Sequence, residues 1–172
     1  QEFNLFELED GQEEATANST LNATLTDYTL VDLDGDGQKD LVAVDGAKQK
    51  LLWSYGRSDG SFVGGEERYL LGRVPVTVEA ADLDGDGRPD VLVTDDASEL
   101  LVYYWTDLFS EAARLTKQAF PGRTKALSGT PTASTLLDID RDGRWDLAYT
   151  SAETGLLGVV LGQAFETERT YL

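Results

Sequence analysis

The chain contains no histidine, no cysteine and no methionine. Without His there is no ordinary general base, and the Ser-His-Asp and Cys-His catalytic arrangements are excluded. With neither imidazole nor thiolate, the usual zinc and copper sites go as well. The lack of Cys removes disulfides as staples and as a sign of compartment. The lack of Met means that Gln1 is not a translation start, so the expectation is a processed product or a portion of a longer chain. Cations are scarce: Lys and Arg number 14 against 32 Asp and Glu, a net charge of −18. Such a surplus repels phosphate backbones, so no nucleic-acid partner is expected, and cations become the natural ligands. No apolar run approaches the roughly 18 residues of a membrane span.

What remains is a globular composition. At 172 residues the chain falls within the range of one domain that buries its own core. The 41% hydrophobic content argues against a disordered tail.

Within it one pattern occurs three times: Asp32-Leu-Asp-Gly-Asp-Gly-Gln-Lys-Asp40, Asp82-Leu-Asp-Gly-Asp-Gly-Arg-Pro-Asp90 and Asp138-Ile-Asp-Arg-Asp-Gly-Arg-Trp-Asp146. The first residues of these segments are 50 and then 56 residues apart. Each segment has strand-like stretches on both sides: Tyr28–Val31 with Leu41–Val44, Val76–Ala81 with Val91–Thr94, and Thr132–Leu137 with Leu147–Thr150. Pro75 and Pro131 each stand seven residues before their first loop Asp, where proline suits a strand start. Turn signals at Asp45-Gly46, Asp95-Asp96 and Glu153-Thr154-Gly155 lead to third strands at Lys50–Tyr55, Leu100–Trp105 and Leu156–Leu161. Fainter fourth strands are expected near Arg68–Leu71, Arg114–Phe120 and Phe165–Tyr171. Four short strands in about 50 residues is the size of a propeller blade. The predicted fold is therefore all-β: three four-stranded antiparallel blades, over 28–74, 75–130 and 131–172, forming part of a larger or oligomer-completed β-propeller. Residues 1–27 are expected to hold a strand at Phe3–Leu8 and a polar linker. Between 107 and 120, Leu108, Ala112, Leu115 and Ala119 fall at helical spacing. A short helix competes there with the fourth strand, and the strand with a decorated loop is the expectation.

Carboxylates at positions 1, 3, 5 and 9 of a tight loop repel one another unless a hard cation joins them. Calcium takes about 6–8 oxygens and suits a flexible ring of carboxylates, one carbonyl and water. The spacing assigns Asp32, Asp34, Asp36, the Gln38 carbonyl and Asp40 to the first site. Asp82, Asp84, Asp86, the Arg88 carbonyl and Asp90 make the second. Asp138, Asp140, Asp142, the Arg144 carbonyl and Asp146 make the third. Gly37, Gly87 and Gly143 stand at position 6, where the turn calls for a positive φ. Position 4 is Gly35, Gly85 and then Arg141, which makes the third loop the weakest candidate. An EF-hand is disfavoured, because its position 12 needs a bidentate Glu and here holds Ala43, Val93 and Tyr149. The bland alternative, three Asx-rich turns that bind nothing, weakens with each repetition at blade spacing.

The pattern resembles the FG-GAP/VCBS repeat, found in the α-subunit propeller of integrins and in many secreted proteins. Asp59-Gly-Ser-Phe62 is similar to the Asp-Gly-Thr-Phe turn of those repeats. The resemblance implies four-stranded blades with calcium held between the first and second strands. Family propellers commonly have seven blades, whereas this chain carries three, so ring closure stays open.

Millimolar calcium is an extracellular condition, so a secreted or cell-surface location is expected. The sequons Asn18-Ser-Thr20 and Asn22-Ala-Thr24, expected glycosylation sites at Asn18 and Asn22, agree with it, although chance accounts for such triplets about half the time. Trp53 and Trp105 read as blade packing rather than sugar platforms, and Trp145 as the surface aromatic. The pairs Asp95-Asp96, Glu66-Glu67 and Glu13-Glu14 read as solvated charge, since neighbours on a strand point to opposite faces. No catalytic constellation emerges, and no enzyme is expected. The expected function is an extracellular protein- or glycan-binding or adhesion module. The alternatives are a self-assembling structural subunit and, last, an accessory domain of a polysaccharide-active enzyme. Expected partners beyond calcium are an extracellular protein or glycan and further blades, from the same longer chain or from a homo-oligomer.

Overall fold

A computed structural model describes residues 24–172 apart from 71, 120, 163, 164 and 166. The strand expected at Phe3–Leu8 and the sequons at Asn18 and Asn22 lie outside the described residues.

Among the described residues, twelve strands form three separate four-stranded antiparallel sheets, each in sequence order. The first contains β1 (Asp27–Val31), β2 (Asp40–Asp45), β3 (Lys50–Gly56) and β4 (Phe62–Tyr69). The second contains β5 (Pro75–Ala81), β6 (Asp90–Asp95), β7 (Glu99–Tyr103) and β8 (Arg123–Ala126). The third contains β9 (Ala133–Leu137), β10 (Asp146–Ser151), β11 (Leu156–Val160) and β12 (Glu168–Tyr171). Pro75 opens β5, where its missing N–H removes no ladder bond. Each acidic loop joins the first strand of a blade to the second. Each register ends at the ninth Asp of its loop: Val31 opposite Asp40, Ala81 opposite Asp90 and Leu137 opposite Asp146.

The blades stack face to face, with β5 against β1 and β9 against β5. Strand alternation decides which side chains fill each seam. Val42, Val44, Leu51 and Trp53 of the first blade meet Val91, Val93, Leu101 and Tyr103 of the second. The intervening residues of the second blade, Leu92, Leu100 and Val102, meet Leu147, Tyr149 and Val160 of the third. The middle blade is thus buried on both faces, which explains why β6 and β7 are apolar through their centres.

The expectation for 107–120 is overturned. Two short helices, α1 (Trp105–Phe109) and α2 (Glu111–Thr116), occupy this stretch, and the fourth strand starts only at Arg123. Ser110 causes the break: its Oγ accepts the Ala113 N–H at 3.2 Å and starts a second helix. The break resets the helical phase, so Leu108 and Ala113 are buried while Ala112 and Leu115 are exposed. The third strand of the second blade stops at Tyr103, so Trp105 opens a helix and does not match Trp53. Asp95 also departs from the solvated reading. It is fully buried, paired with Arg73 at 3.1 Å, and accepts the N–H groups of Ala97 and Glu99.

Candidate metal centre

Nested side-chain turns build the three acidic loops. Asp32 accepts the N–H groups of Gly35 at 2.8 Å and Gly37 at 2.9 Å. Asp34 accepts from Asp36 at 3.1 Å, and Asp36 accepts from Gln38 at 2.7 Å. The second loop repeats every bond: Asp82 with Gly85 and Gly87, Asp84 with Asp86, Asp86 with Arg88. Gly37, Gly87 and Gly143 have φ of 88°, 84° and 82°, as the turn at position 6 requires. In the third loop Arg141 adopts φ 63°, in the same left-handed region as Gly35 and Gly85, where a side chain is strained. Asp138 there accepts from Asp142 at 3.1 Å and Gly143 at 3.0 Å.

The ninth Asp has a separate task. Asp40, Asp90 and Asp146 are buried, and each accepts two backbone N–H groups from opposite sides of its blade. One comes from loop position 2: Leu33 at 2.7 Å, Leu83 at 2.9 Å and Ile139 at 2.8 Å. The other comes from the end of the third strand or just beyond it: Gly56 at 2.7 Å, Trp105 at 2.8 Å and Gly162 at 2.7 Å. Burial pushes the Asp90 carboxyl up to about 6; the two N–H donors oppose this, and nearby Asp84 and Asp86 reinforce it.

Carboxylate oxygens of Asp32, Asp34 and Asp36 converge within 4.8 Å of one another, and so do those of Asp82, Asp84 and Asp86. In the third loop the converging set is Asp138, Asp140 and Asp146. The ninth Asp stands apart from the first two triads, held on its two N–H donors, and Asp142 stands apart from the third. Gln38, Arg88 and Arg144 occupy position 7, each donating its N–H to the fifth-position Asp, at 2.7, 2.9 and 2.9 Å. The donor set is anionic oxygen throughout, hard and compact, and fits calcium rather than a soft metal. The second N–H donor escaped the sequence reading. Its signal is a glycine 16 residues beyond the ninth Asp, seen at Gly56 and Gly162. A Cβ on either would collide with a backbone carbonyl, that of Lys39 or Trp145.

The family model for the FG-GAP-like repeat matches residues 32–93 and 82–149. No curated protein matches the chain. Similar solved structures include the crystal structure of BBS1N in complex with ARL6DN soaked with lead, at 13% identity and a TM-score of 0.44, covering 82% of this chain and 52% of that one. The mercury-soaked counterpart is 11% identical with a TM-score of 0.46, covering 84% of this chain and 53% of that one. The chain therefore spans about half the length of these structural neighbours.

Proposed function

Because the chain belongs to the FG-GAP-like repeat family, we propose that it is a calcium-stabilised extracellular propeller module for protein or glycan binding and adhesion. The observation that carries the calcium reading is that three carboxylates converge in the loop between the first two strands of every blade, from positions 1, 3 and 5 in the first two loops and 1, 3 and 9 in the third. Asp32, Asp34 and Asp36 would hold the first ion, Asp82, Asp84 and Asp86 the second, and Asp138, Asp140 and Asp146 the third. Asp40 would complete the first set, Asp90 the second and Asp142 the third, each with the carbonyl at position 7 of its loop. Bound calcium supplies charge neutralisation and a rigid tie between the first two strands of a blade. With an extracellular-type Kd of about 10⁻⁴ to 10⁻³ M, millimolar calcium stabilises each site by roughly 0.4–1.4 kcal/mol. At cytosolic calcium this contribution vanishes, which favours a location outside the cell. Calorimetric titration with calcium tests the reading: heat saturating at three ions per chain supports it, and no heat at millimolar calcium sinks it.

A second reading, a self-assembling structural subunit, has its own observation. The outer face of the third blade leaves Leu137, Ile139, Leu157 and Tyr171 exposed, whereas Leu33 and Leu83, the counterparts of Ile139, pack in seams between blades. Native mass by light scattering separates the two: a calcium-dependent dimer or polymer favours assembly, and a monomer favours the binding module. An accessory role in polysaccharide breakdown would be revived by turnover that is lost on substituting an acid outside the loops.

A further inference from the structure

Among the described residues, the helices α1 and α2 belong to the second blade by sequence, yet they reach across to the first. Tyr69 of β4 donates its N–H to the Lys117 carbonyl at 2.8 Å, and the Ala119 N–H returns to the Tyr69 carbonyl at 3.2 Å. Leu108 and Ala119 fill the seam between these blades, and the Leu108 carbonyl accepts Arg68 Nε at 3.2 Å. The near end of this bridge rests on the second acidic loop. Trp105 N–H donates to Asp90, and its indole lies under the Arg88 guanidinium, 4.5 Å from the ring centroid. Trp105 stacks on Phe109 at 4.6 Å, Phe109 meets Trp53 at 5.1 Å, and Arg68 lies 4.8 Å over Trp53. One continuous column therefore runs from position 7 of the loop to the last strand of the first blade. The other two loops have no counterpart, because the matching N–H donors are Gly56 and Gly162.

The geometry points to Trp105 and Arg88 as positioning residues that make the α1–α2 bridge respond to a cation in the second loop. This rests on the calcium reading of that loop. A cation that takes the Arg88 carbonyl fixes the backbone carrying the guanidinium. It also offsets the mutual repulsion of Asp82, Asp84, Asp86 and Asp90 that would open the loop. Trp105 is then held on three sides, and the helices and the seam beneath them tighten. Arg88→Ala keeps the backbone carbonyl and removes the stacking cation, so it is read at saturating calcium.

The test is amide hydrogen exchange of the full chain in calcium and in chelator, alongside calorimetric calcium titration. In the wild type, calcium is expected to slow exchange across residues 105–116. Compared at a calcium concentration that the titration shows to saturate each protein, Arg88→Ala should keep β6 and β7 protected and exchange those helical amides about two- to fivefold faster than the wild type, the size of one exposed cation–π contact. Arg88→Lys should fall between the two. Equal helical exchange in wild type and Arg88→Ala, or exchange insensitive to calcium in a wild type that binds it, overturns the coupling and leaves the calcium reading standing. A wild type that takes up no calcium overturns both.

Discussion

Glu79 shows how much one side chain carries in a seam between blades. On β5 it accepts Ser134 Oγ of β9 at 3.3 Å, and that hydroxyl also reaches Thr77 at 2.8 Å, which bonds Thr94 at 2.7 Å. The other carboxylate facing it is Asp27 of β1, which is held by the Val78 N–H at 2.9 Å. Burial pushes Glu79 up from 4.5 to about 7, against the Ser134 bond and with help from Asp27. The folded chain thus holds this proton more tightly than the unfolded one. The resulting stability is present below about 4.5 and is lost as pH rises through about 7. Full linkage over that interval would be about 3 kcal/mol, and water reaching this partly buried carboxylate reduces it to about 1–2 kcal/mol. Glu79→Gln should therefore raise the melting temperature at pH 8 by several degrees and leave it nearly unchanged at pH 4.5, measured by calorimetry at matched ionic strength. Parallel wild-type and variant curves across that pH range would contradict this account.

At the scale of an element, the acidic loop is the unit, and its third copy is strained. Arg141 holds φ 63°, where Gly35 and Gly85 hold 82° and 81°. A non-glycine residue in this region costs about 1–2 kcal/mol, so Arg141→Gly should stabilise the chain by up to about 1 kcal/mol after the entropy of glycine is deducted. It should also tighten the third calcium step in a titration; weaker binding there would mean that the Arg141 side chain assists the loop. The opposite change, Gly162→Ala, drives a Cβ into the Trp145 carbonyl and disturbs the N–H that Asp146 accepts, and should cost about 1–3 kcal/mol in urea unfolding. These loops and their strands were legible in the sequence, because Asp spacing and period-two apolar runs are local signals. The helices were not. Ala112 and Leu115 lie on the apparent apolar stripe, but the break at Ser110 rotates them into solvent and brings Ala113 inward. The two-sided grip on Asp40, Asp90 and Asp146 was hidden for another reason: its second donor lies 15 or 16 residues away, and only the closed blade brings it near.

For the whole molecule, charge and stacking set the behaviour. Three calcium ions would take the net charge from −18 to −12 and, at millimolar calcium, add a few kcal/mol to a stability that is typically about 5–15 kcal/mol. Excess chelator should accordingly lower the melting temperature by several degrees, and an unchanged melt would reject the metal assignment. Stacking makes a separate demand. Position 2 of each loop carries an apolar residue facing the next blade: Leu33 is buried in the first seam, and Leu83 packs against the second. Ile139, at the same position of the third loop, stays 42% exposed. Leu33→Ala should therefore cost about 2–5 kcal/mol, the usual loss for a buried leucine. In a monomeric chain Ile139→Ala should cost less than about 0.5 kcal/mol, as exposed substitutions do. Urea unfolding in millimolar calcium, read together with native mass, checks the pair. A loss at Ile139 as large as that at Leu33, in a species heavier than one chain, would mean that another blade covers the face and that the working molecule is an assembly.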